Sequence, residues 1–288
     1  MTAPTDRGPA PVGPSAPAGP ADGMTATCVF AVRRGGDPGS LAGRSGHTGG
    51  GPLRLLPLAG SLRAVVQSVP AADFTQEALR RRLSDPVALE RCARGHHDVV
   101  VAAAADGPVV PLPLATLFTD DRRAAEALDH QRQLFLGTLD RLAGRAEWSV
   151  KVHLGRSAGT APAPAASRTA GTARAAAPGA GAAYLSRVRG RERDRQSWQD
   201  AALHVAQRVH DTAAALAVAA VRRRPHGPEV TGRDRHQVLN AAFLVDDARS
   251  AELATAVHAL RGSFTGLEVH IDVTGPWVPY SFTGGVHP

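Results

Sequence analysis

The segment RCARGHHD, residues 91–98, holds the residue types that nucleophilic catalysis needs. Cys92 and His96 are four positions apart, so on a helix they lie about one turn apart and could form a thiolate–imidazole pair. Asp98 could be the third member. The competing interpretation is a structural cysteine on a buried helix face, with His96 and His97 exposed. We favour this second interpretation because nothing except proximity to His96 would lower the pKa of the thiol.

Motifs for other reactions are missing from the sequence. No HExxH or CxxC occurs, and Lys151, the only lysine, is not part of a phosphate-binding loop. The glycine-rich stretch 35–51 lacks the strand–GxGxxG–helix context of a dinucleotide site. Asp246 and Asp247 could bind a cation, but acidic residues after a strand are more typical of helix caps. We therefore predict no catalytic, metal or cofactor site, and a protein that binds or assembles rather than catalyses.

Arginine carries almost all of the positive charge. The net charge is +7, and Lys151 is the only lysine among 33 basic residues. Arginines cluster at 80–82 and 222–224 and alternate along SRVRGRERDRQ, where Glu192 and Asp194 interrupt them. Such interrupted charge is typical of solvated helix faces. A nucleic-acid-associated protein is the alternative function, because a basic patch is the electrostatic footprint that such proteins need.

Hydrophobic periodicity divides the chain into two α+β domains, each predicted to be a small sheet with helices on one side. The second of these sheets is open and carries one long helix. The predicted boundaries are a disordered tail over 1–23, an N-terminal domain over 24–154, a low-complexity linker over 155–181 and a C-terminal domain over 182–288. No apolar run of about 18 residues occurs, so no transmembrane helix is expected. The first residues also lack the apolar stretch of a signal peptide, and we expect a cytoplasmic protein.

The pattern also predicts individual elements. Strands are expected at 25–32, 61–70, 147–154, 238–245 and 267–273, and the proline-interrupted segment 107–118 at the edge of a sheet. The alternating strands 147–154 and 267–273 each have one apolar face, whereas 238–245 is apolar throughout, as in an interior strand. One helix is expected from Asp120 to Gly144 and a long one from about Ala182 to Arg224, ended by Pro225.

The C-terminal segment VTGPWVPYSF gathers aromatic residues in a chain that has few. Trp277, Tyr280 and Phe282 lie within six positions, although aromatics make up only 4% of the sequence. Two interpretations are open, a segment that seals the core and a surface that recognises a partner. We favour core sealing, with Trp277 largely buried, because large aromatic side chains dominate core energetics.

Five segments, in this order, resemble the gas vesicle GvpL/GvpF family. They are PVVPLPLATLF, LDRLAGRAEWSVKVHL, AAYLSRVRGRERDR, LNAAFLVDD and LEVHIDVTGPWVPYSF. The ending Gly-Pro-Trp-x-Pro-Tyr-Ser-Phe is the most specific of them. The chain departs from the family pattern at Pro113, where an arginine is usual, and at Val278, where proline is common.

The resemblance implies a fold and a function. The fold would be two α+β domains, the first of them a ferredoxin-like variant. The function would be that of an accessory protein for gas vesicles, which contacts the hydrophobic shell protein and other vesicle accessory proteins in the cytoplasm. Neither catalysis nor a cofactor is implied, and the sequence does not determine the direct partners or the oligomeric state.

Overall fold

The computed structural model describes residues 24–155, 180–225, 227 and 235–284. The predicted tail over 1–23 and nearly all of the predicted linker over 155–181 lie outside the described residues. The strands are β1 (Thr25–Arg34), β2 (Leu53–Pro57), β3 (Leu62–Pro70), β4 (Val109–Phe118), β5 (Arg145–Gly155), β6 (Ala219–Arg222), β7 (Arg235–Asp246) and β8 (Val269–Trp277). The helices are α1 (Gln76–Ser84), α2 (Pro86–Ala104), α3 (Asp121–His130), α4 (Arg132–Leu142), α5 (Ala180–Ala214) and α6 (Ser250–Ala259).

The first four strands form an antiparallel sheet, sheet A, in the order β2-β3-β1-β4. Helices α1 and α2 connect β3 to β4, whereas β1 and β2 are joined by a 3-10 turn at Pro38–Leu41 and a glycine-rich loop. The chain therefore follows the β-α-β-β-α-β ferredoxin-like motif with its first helix replaced by a loop. The ferredoxin-like variant implied by the family resemblance is confirmed.

The last four strands repeat this topology in sheet B, whose order is β6-β7-β5-β8. Here α5 connects the first strand to the second, and α6 connects the third to the fourth. The domain boundary predicted after residue 154 is wrong in one respect, because β5 is an interior strand of sheet B and not the last strand of the first domain. Local alternation identifies a strand but carries no information about which sheet it joins.

The helices and the two sheets form layers, with three clusters of buried apolar side chains between them. Helix α2 covers one face of sheet A, while α3 and α4 cover the other. Ala242 and Leu244, on one face of β7, belong to the same cluster as α3 and α4, so these helices lie where the two sheets meet. Helices α5 and α6 cover the outer face of sheet B, as predicted for the second domain. The prediction that helices cover only one side of the first sheet is wrong.

Strand β7 is buried on both faces, as its apolar sequence predicts. Leu239, Ala241, Phe243 and Val245 point towards α5 and α6, whereas Ala242 and Leu244 point towards α4. On β5, the predicted apolar face (Val150, Val152 and Leu154) also packs under α5 and α6. The alternating pattern of β5 thus predicted correctly which of its two faces is buried.

Strand β4 lies at the edge of sheet A, where its prolines can be tolerated. The pairing of β1 with β4 shifts between Val29 and Ala31, so that residues 112–115 bulge out of the ladder. Pro113, where the sequence departs from the pattern expected from the family resemblance, lies in this bulge, and its carbonyl accepts a hydrogen bond from the Thr116 hydroxyl at 2.8 Å. Pro113 itself is exposed, whereas the neighbouring Leu112 is buried.

Three helix starts follow the usual capping rules. The side chains of Thr75, Asp85 and Asp120 each accept a backbone N–H at the start of α1, α2 and α3. Two helix predictions are wrong. The helix predicted over 120–144 is broken at Gln131 into α3 and α4, and α5 ends at Ala214, ten residues before the predicted end.

Two short strands escaped prediction, β2 and β6. The sequence LRLLP of β2 follows a glycine-rich loop and ends in proline, and the AAVR of β6 has the composition of a helix. Both are edge strands stabilised by pairing with β3 and β7. Their conformation is therefore decided by tertiary contacts that no local pattern contains.

As far as the structure describes the chain, none of its helices has both the length and the apolar character needed to cross a membrane.

Candidate functional site

Cys92 and His96 do not form the thiolate–imidazole pair that their spacing allows. Cys92 contacts His47, from the glycine-rich loop, whose Nδ1 lies 3.5 Å from the sulfur. His96 is only 4% exposed and packs against Phe30, with ring centroids 5.3 Å apart. Asp98 is exposed. The favoured interpretation is correct in placing Cys92 on the packed side of α2, but its expectation that His96 is exposed is wrong.

The surroundings of the His96 ring, and of the Cys28 thiol on β1 nearby, oppose ionisation. Burial, helped by the nearby Cys92 thiol, raises the pKa of Cys28 to about 12. Burial, helped by the nearby His47 ring, lowers the pKa of His96 to about 4. Both groups are therefore neutral at pH 7. No three His, Cys, Asp or Glu side chains among the described residues converge to hold a metal ion.

We expect the stability of the fold to fall in mild acid because of His96. An unfolded chain protonates this ring near pH 6.5, whereas the folded chain does so only near pH 4. Between these values the unfolded state binds more protons, so the free energy of unfolding decreases as the pH falls, by on the order of 3 kcal/mol in all. Urea unfolding at several pH values measures this loss.

A matched pair of variants assigns the pH effect. His96→Phe removes the titrating group from the core, so its stability should depend less on pH between 6.5 and 4 than that of the wild type. His258→Gln, at an exposed position on α6, should keep the full dependence. Equal pH dependence in all three proteins would contradict the assignment.

The C-terminal segment is held to the core at two points. Phe282 is 6% exposed and belongs to the core cluster formed with α3, α4 and the inner face of β7. Its carbonyl accepts a hydrogen bond from the Arg141 guanidinium. Phe282 therefore packs into the core from the 3-10 turn Tyr280–Phe282, which follows β8.

A buried carboxylate makes the second attachment. Glu147 of β5 accepts hydrogen bonds from the Ser281 backbone N–H at 2.7 Å and from the Ser281 hydroxyl at 2.9 Å. It also forms an ion pair with Arg223, at 2.5 Å, while its own side chain is only 5% exposed. Since a buried charge is tolerated only when it is paired and hydrogen-bonded, this group fixes the position of residues 280–282.

Trp277 and Tyr280 are placed differently from Phe282. Trp277 is 47% exposed, so the prediction that it is largely buried is wrong. Tyr280 is 37% exposed, and its hydroxyl lies 3.3 Å from Nδ1 of His97 on α2. The His97 ring also faces Trp277, with centroids 6.4 Å apart. Burial of the phenol and the nearby Glu147 carboxylate raise the pKa of Tyr280, which therefore stays neutral.

Close packing at the end of β8 turns Trp277 outward. A Cβ atom on Gly275 would lie 2.8 Å from the Trp148 ring and 3.0 Å from the Glu147 carbonyl oxygen, so only glycine fits there. The Gly275–Pro276 peptide bond is cis. After this turn the Trp277 indole has a long contact with the Thr274 hydroxyl, at 3.4 Å, beside its contact with the His97 ring. About half of the residue's surface stays exposed.

Trp277 stands beside a cleft between the two sheets, which we call the aromatic cleft. The cleft has a volume of about 410 Å³ and lies between the end of α2, the loop before β4, the end of α4 and the C-terminal segment. Its wall mixes polar and apolar surface, with Arg145 and Asp247 as its charged residues; the apolar part includes Val109, Leu142, Ala146, Pro276, Trp277 and Pro279. A concave surface with an exposed tryptophan is suited to binding a segment of another protein.

Sequence reasoning found the aromatic residues of this site but not the residues that position them. Glu147, Arg223, Arg141 and His97 come from four other elements, at 58 to 183 positions from their partners. Glu147 gave no signal of its own, because polar and charged residues alternate with apolar ones along this strand. The remaining three are ordinary surface residue types in the sequence.

Comparison with known proteins identifies the family. The family model described as "Gas vesicle synthesis protein GvpL/GvpF" matches residues 26–284. Gas vesicle protein L from Streptomyces sp. (strain CB03234) is 37% identical over 257 residues, which is 89% of this chain and 92% of that protein.

Solved structures show the same fold. The crystal structure of gas vesicle protein GvpF from Anabaena sp. PCC7120 matches with a TM-score of 0.62 and 16% identity, over 91% of this chain and 98% of that one. GvpF from Microcystis aeruginosa matches with a TM-score of 0.56 and 16% identity, over 90% and 98%. Since the family model and the Streptomyces relative both extend over nearly all of the described structure, the chain belongs to the gas vesicle GvpL/GvpF family.

Proposed function

We propose that this protein is a non-catalytic accessory factor for gas vesicle assembly, and that it binds the hydrophobic shell protein at the aromatic cleft. Membership in the GvpL/GvpF family supports the vesicle role. The observation that carries the binding site is the exposure of Trp277 at the edge of a cleft whose wall is partly apolar. Other vesicle accessory proteins are further partners under this proposal, and the site of action is the vesicle as it forms in the cytoplasm.

The chemistry of the cleft suits an apolar ligand. Tryptophan is enriched among the residues that dominate binding energy, and it acts best at the centre of a surface that a partner can dehydrate. Around Trp277, the prolines at 276 and 279 restrict the backbone, so little conformational entropy is lost when a partner binds. The buried attachments of Phe282 and Ser281 hold this surface in place.

Trp277→Ala is expected to weaken binding without unfolding the protein. The side chain is half exposed, so its loss should cost the fold about 1 kcal/mol or less, within the range of ordinary substitutions away from the core. Loss of an aromatic anchor should weaken binding by at least about 2 kcal/mol, or roughly 30-fold. Co-purification with the shell protein, together with urea unfolding of the variant, measures both effects.

Val87→Ala is the matched control, because Val87 is an exposed apolar residue at the other end of α2. It should leave both binding and unfolding unchanged. Binding by apolar burial should also persist at high salt, whereas a nucleic-acid complex should dissociate. Undiminished shell-protein binding by a folded Trp277→Ala protein would refute the cleft as the site.

A further inference from the structure

The charge that the aromatic cleft offers to a ligand is negative. Its wall contains two charged residues. Asp247 lies in the turn after β7 and is exposed, and its carboxylate has no cation as a partner among the described residues. Arg145 is already paired, because its guanidinium contacts the Asp246 carboxylate at 2.8 Å and the Arg141 carbonyl oxygen at 2.6 Å. The cleft therefore differs in sign from the chain as a whole, whose net charge is +7.

Two helix ends add to this negative potential. Helix α2 ends at Ala104 and α4 at Leu142, and both residues line the cleft. The C-terminal end of an α-helix carries partial negative charge, because its last carbonyl groups have no partner within the helix. The last turn of α4 has one basic residue, Arg141, whose guanidinium donates to the Phe282 carbonyl. The last turn of α2 has none, so its end has no cation of its own to offset it.

We propose that the aromatic cleft recognises a lysine or arginine side chain within the apolar segment that it binds. The cationic group would pair with the Asp247 carboxylate and lie beside the two helix ends. Trp277, which is 47% exposed, adds an aromatic ring, and such rings attract ammonium and guanidinium groups. The inference rests on the proposed function, because it specifies which segment of the partner the same site would take.

The same charges disfavour other ligands. A phosphate or a carboxylate in the cleft would be repelled by Asp247 and by both helix ends, so neither nucleic acid nor an acidic peptide fits. A wholly apolar segment would displace water from the Asp247 carboxylate without pairing it, which is unfavourable. Asp106, between two lining residues of the loop before β4, is paired with Arg33 at 3.2 Å and adds no net charge.

Two peptides that differ by a single charge test the proposal. Both are short, rhodamine-labelled and blocked at their ends, and in both leucines flank one variable position. That position is arginine in the first peptide and citrulline, its neutral analogue of nearly the same shape, in the second. Fluorescence anisotropy with the full-length protein measures the affinity for each peptide, and the ratio of the two affinities isolates the contribution of the charge.

We expect the wild type to bind the arginine peptide at least about fivefold more tightly than the citrulline peptide. Asp247→Asn removes the charge at nearly unchanged size and should bring this ratio below about twofold. Asp194→Asn, the same change at an exposed position on α5, should keep the ratio of the wild type. The preference should also shrink at high salt, because Asp247 is exposed. Trp277→Ala should weaken the binding of both peptides.

Equal binding of the two peptides by the wild type, or the same ratio in both asparagine variants, would overturn the proposal. So would an arginine peptide that does not bind at about 1 mM, a concentration that detects even weak complexes. Circular dichroism of each variant verifies that its fold is intact.

Failure of this inference is distinguishable from failure of the proposed function. Loss of the shell protein in Trp277→Ala, together with equal binding of the two peptides, would keep the binding site and refute only its preference for a basic residue. Conversely, undiminished shell-protein binding by Trp277→Ala would refute the shell protein as the ligand of the cleft. A peptide preference that disappears in Asp247→Asn would even then establish that the cleft selects a basic side chain.

Discussion

Replacing Phe282 with alanine is expected to lower the free energy of unfolding by about 3–5 kcal/mol, as for other large-to-alanine changes in cores. Phe282 is 6% exposed, and its cluster includes Phe135 and Leu139 of α4 and Leu244 of β7. The substitution would leave a cavity where the two sheets meet. Because domains are typically stable by only about 5–15 kcal/mol, this is a large share of the total. Chemical denaturation monitored by circular dichroism measures the loss.

Trp277→Ala is the internal comparison for this prediction, because it removes a larger aromatic side chain only five positions away. Burial, and not residue size, should decide the outcome, so Phe282→Ala should lose several-fold more stability than Trp277→Ala. Similar losses for both substitutions would contradict the placement of the two rings. A Phe282→Leu protein, which keeps most of the buried volume, should fall between the wild type and the alanine variant.

Arg223→Met is expected to cost about 3 kcal/mol, because it leaves the Glu147 carboxylate buried without its cation. The arginine itself is 40% exposed, but the carboxylate is only 5% exposed and cannot be rehydrated without moving Ser281 and the C-terminal segment. The same measurement of unfolding applies. Arg222→Met is the matched control on the neighbouring position of β6. Arg222 donates to Gln207 on the surface, so its loss should cost little.

A double variant separates the unpaired charge from lost packing. If the isolated carboxylate is the cause, adding Glu147→Gln to Arg223→Met should restore part of the stability, because a neutral amide costs less to bury than a charge. The second substitution would then be stabilising in the Arg223→Met background, although it removes a buried hydrogen-bond acceptor from the wild type. A double variant less stable than Arg223→Met would show that Glu147 acts mainly through its hydrogen bonds to Ser281.

The sequence predicted those features of the fold that depend on local periodicity. Strands β5, β7 and β8 alternate or are apolar throughout, and their dry faces could be assigned residue by residue. The caps at Thr75, Asp85 and Asp120 are local features too, because capping involves residues two or three positions apart. The edge position of β4 followed from its prolines alone.

Features that depend on distant contacts could not be predicted. The membership of β5 in sheet B requires pairing with β7, across some 90 positions. His47 reaches Cys92 from a glycine-rich loop whose composition indicates no structure. Trp277 was placed in the core because aromatic residues usually are. Its outward orientation depends instead on the contact between Gly275 and Trp148, which brings together two strands far apart in the sequence.

The position of β5 has a consequence for recombination between relatives. This strand is covalently continuous with α4, yet its hydrogen-bonding neighbours β7 and β8 come after residues 156–179. A chimera joined within that low-complexity segment would take β5 from one parent and the rest of sheet B from the other. Both the ladder register and the buried Glu147 would then have to match across the parents. A junction at Gly144, before β5 begins, would instead take all four strands of sheet B from the same parent.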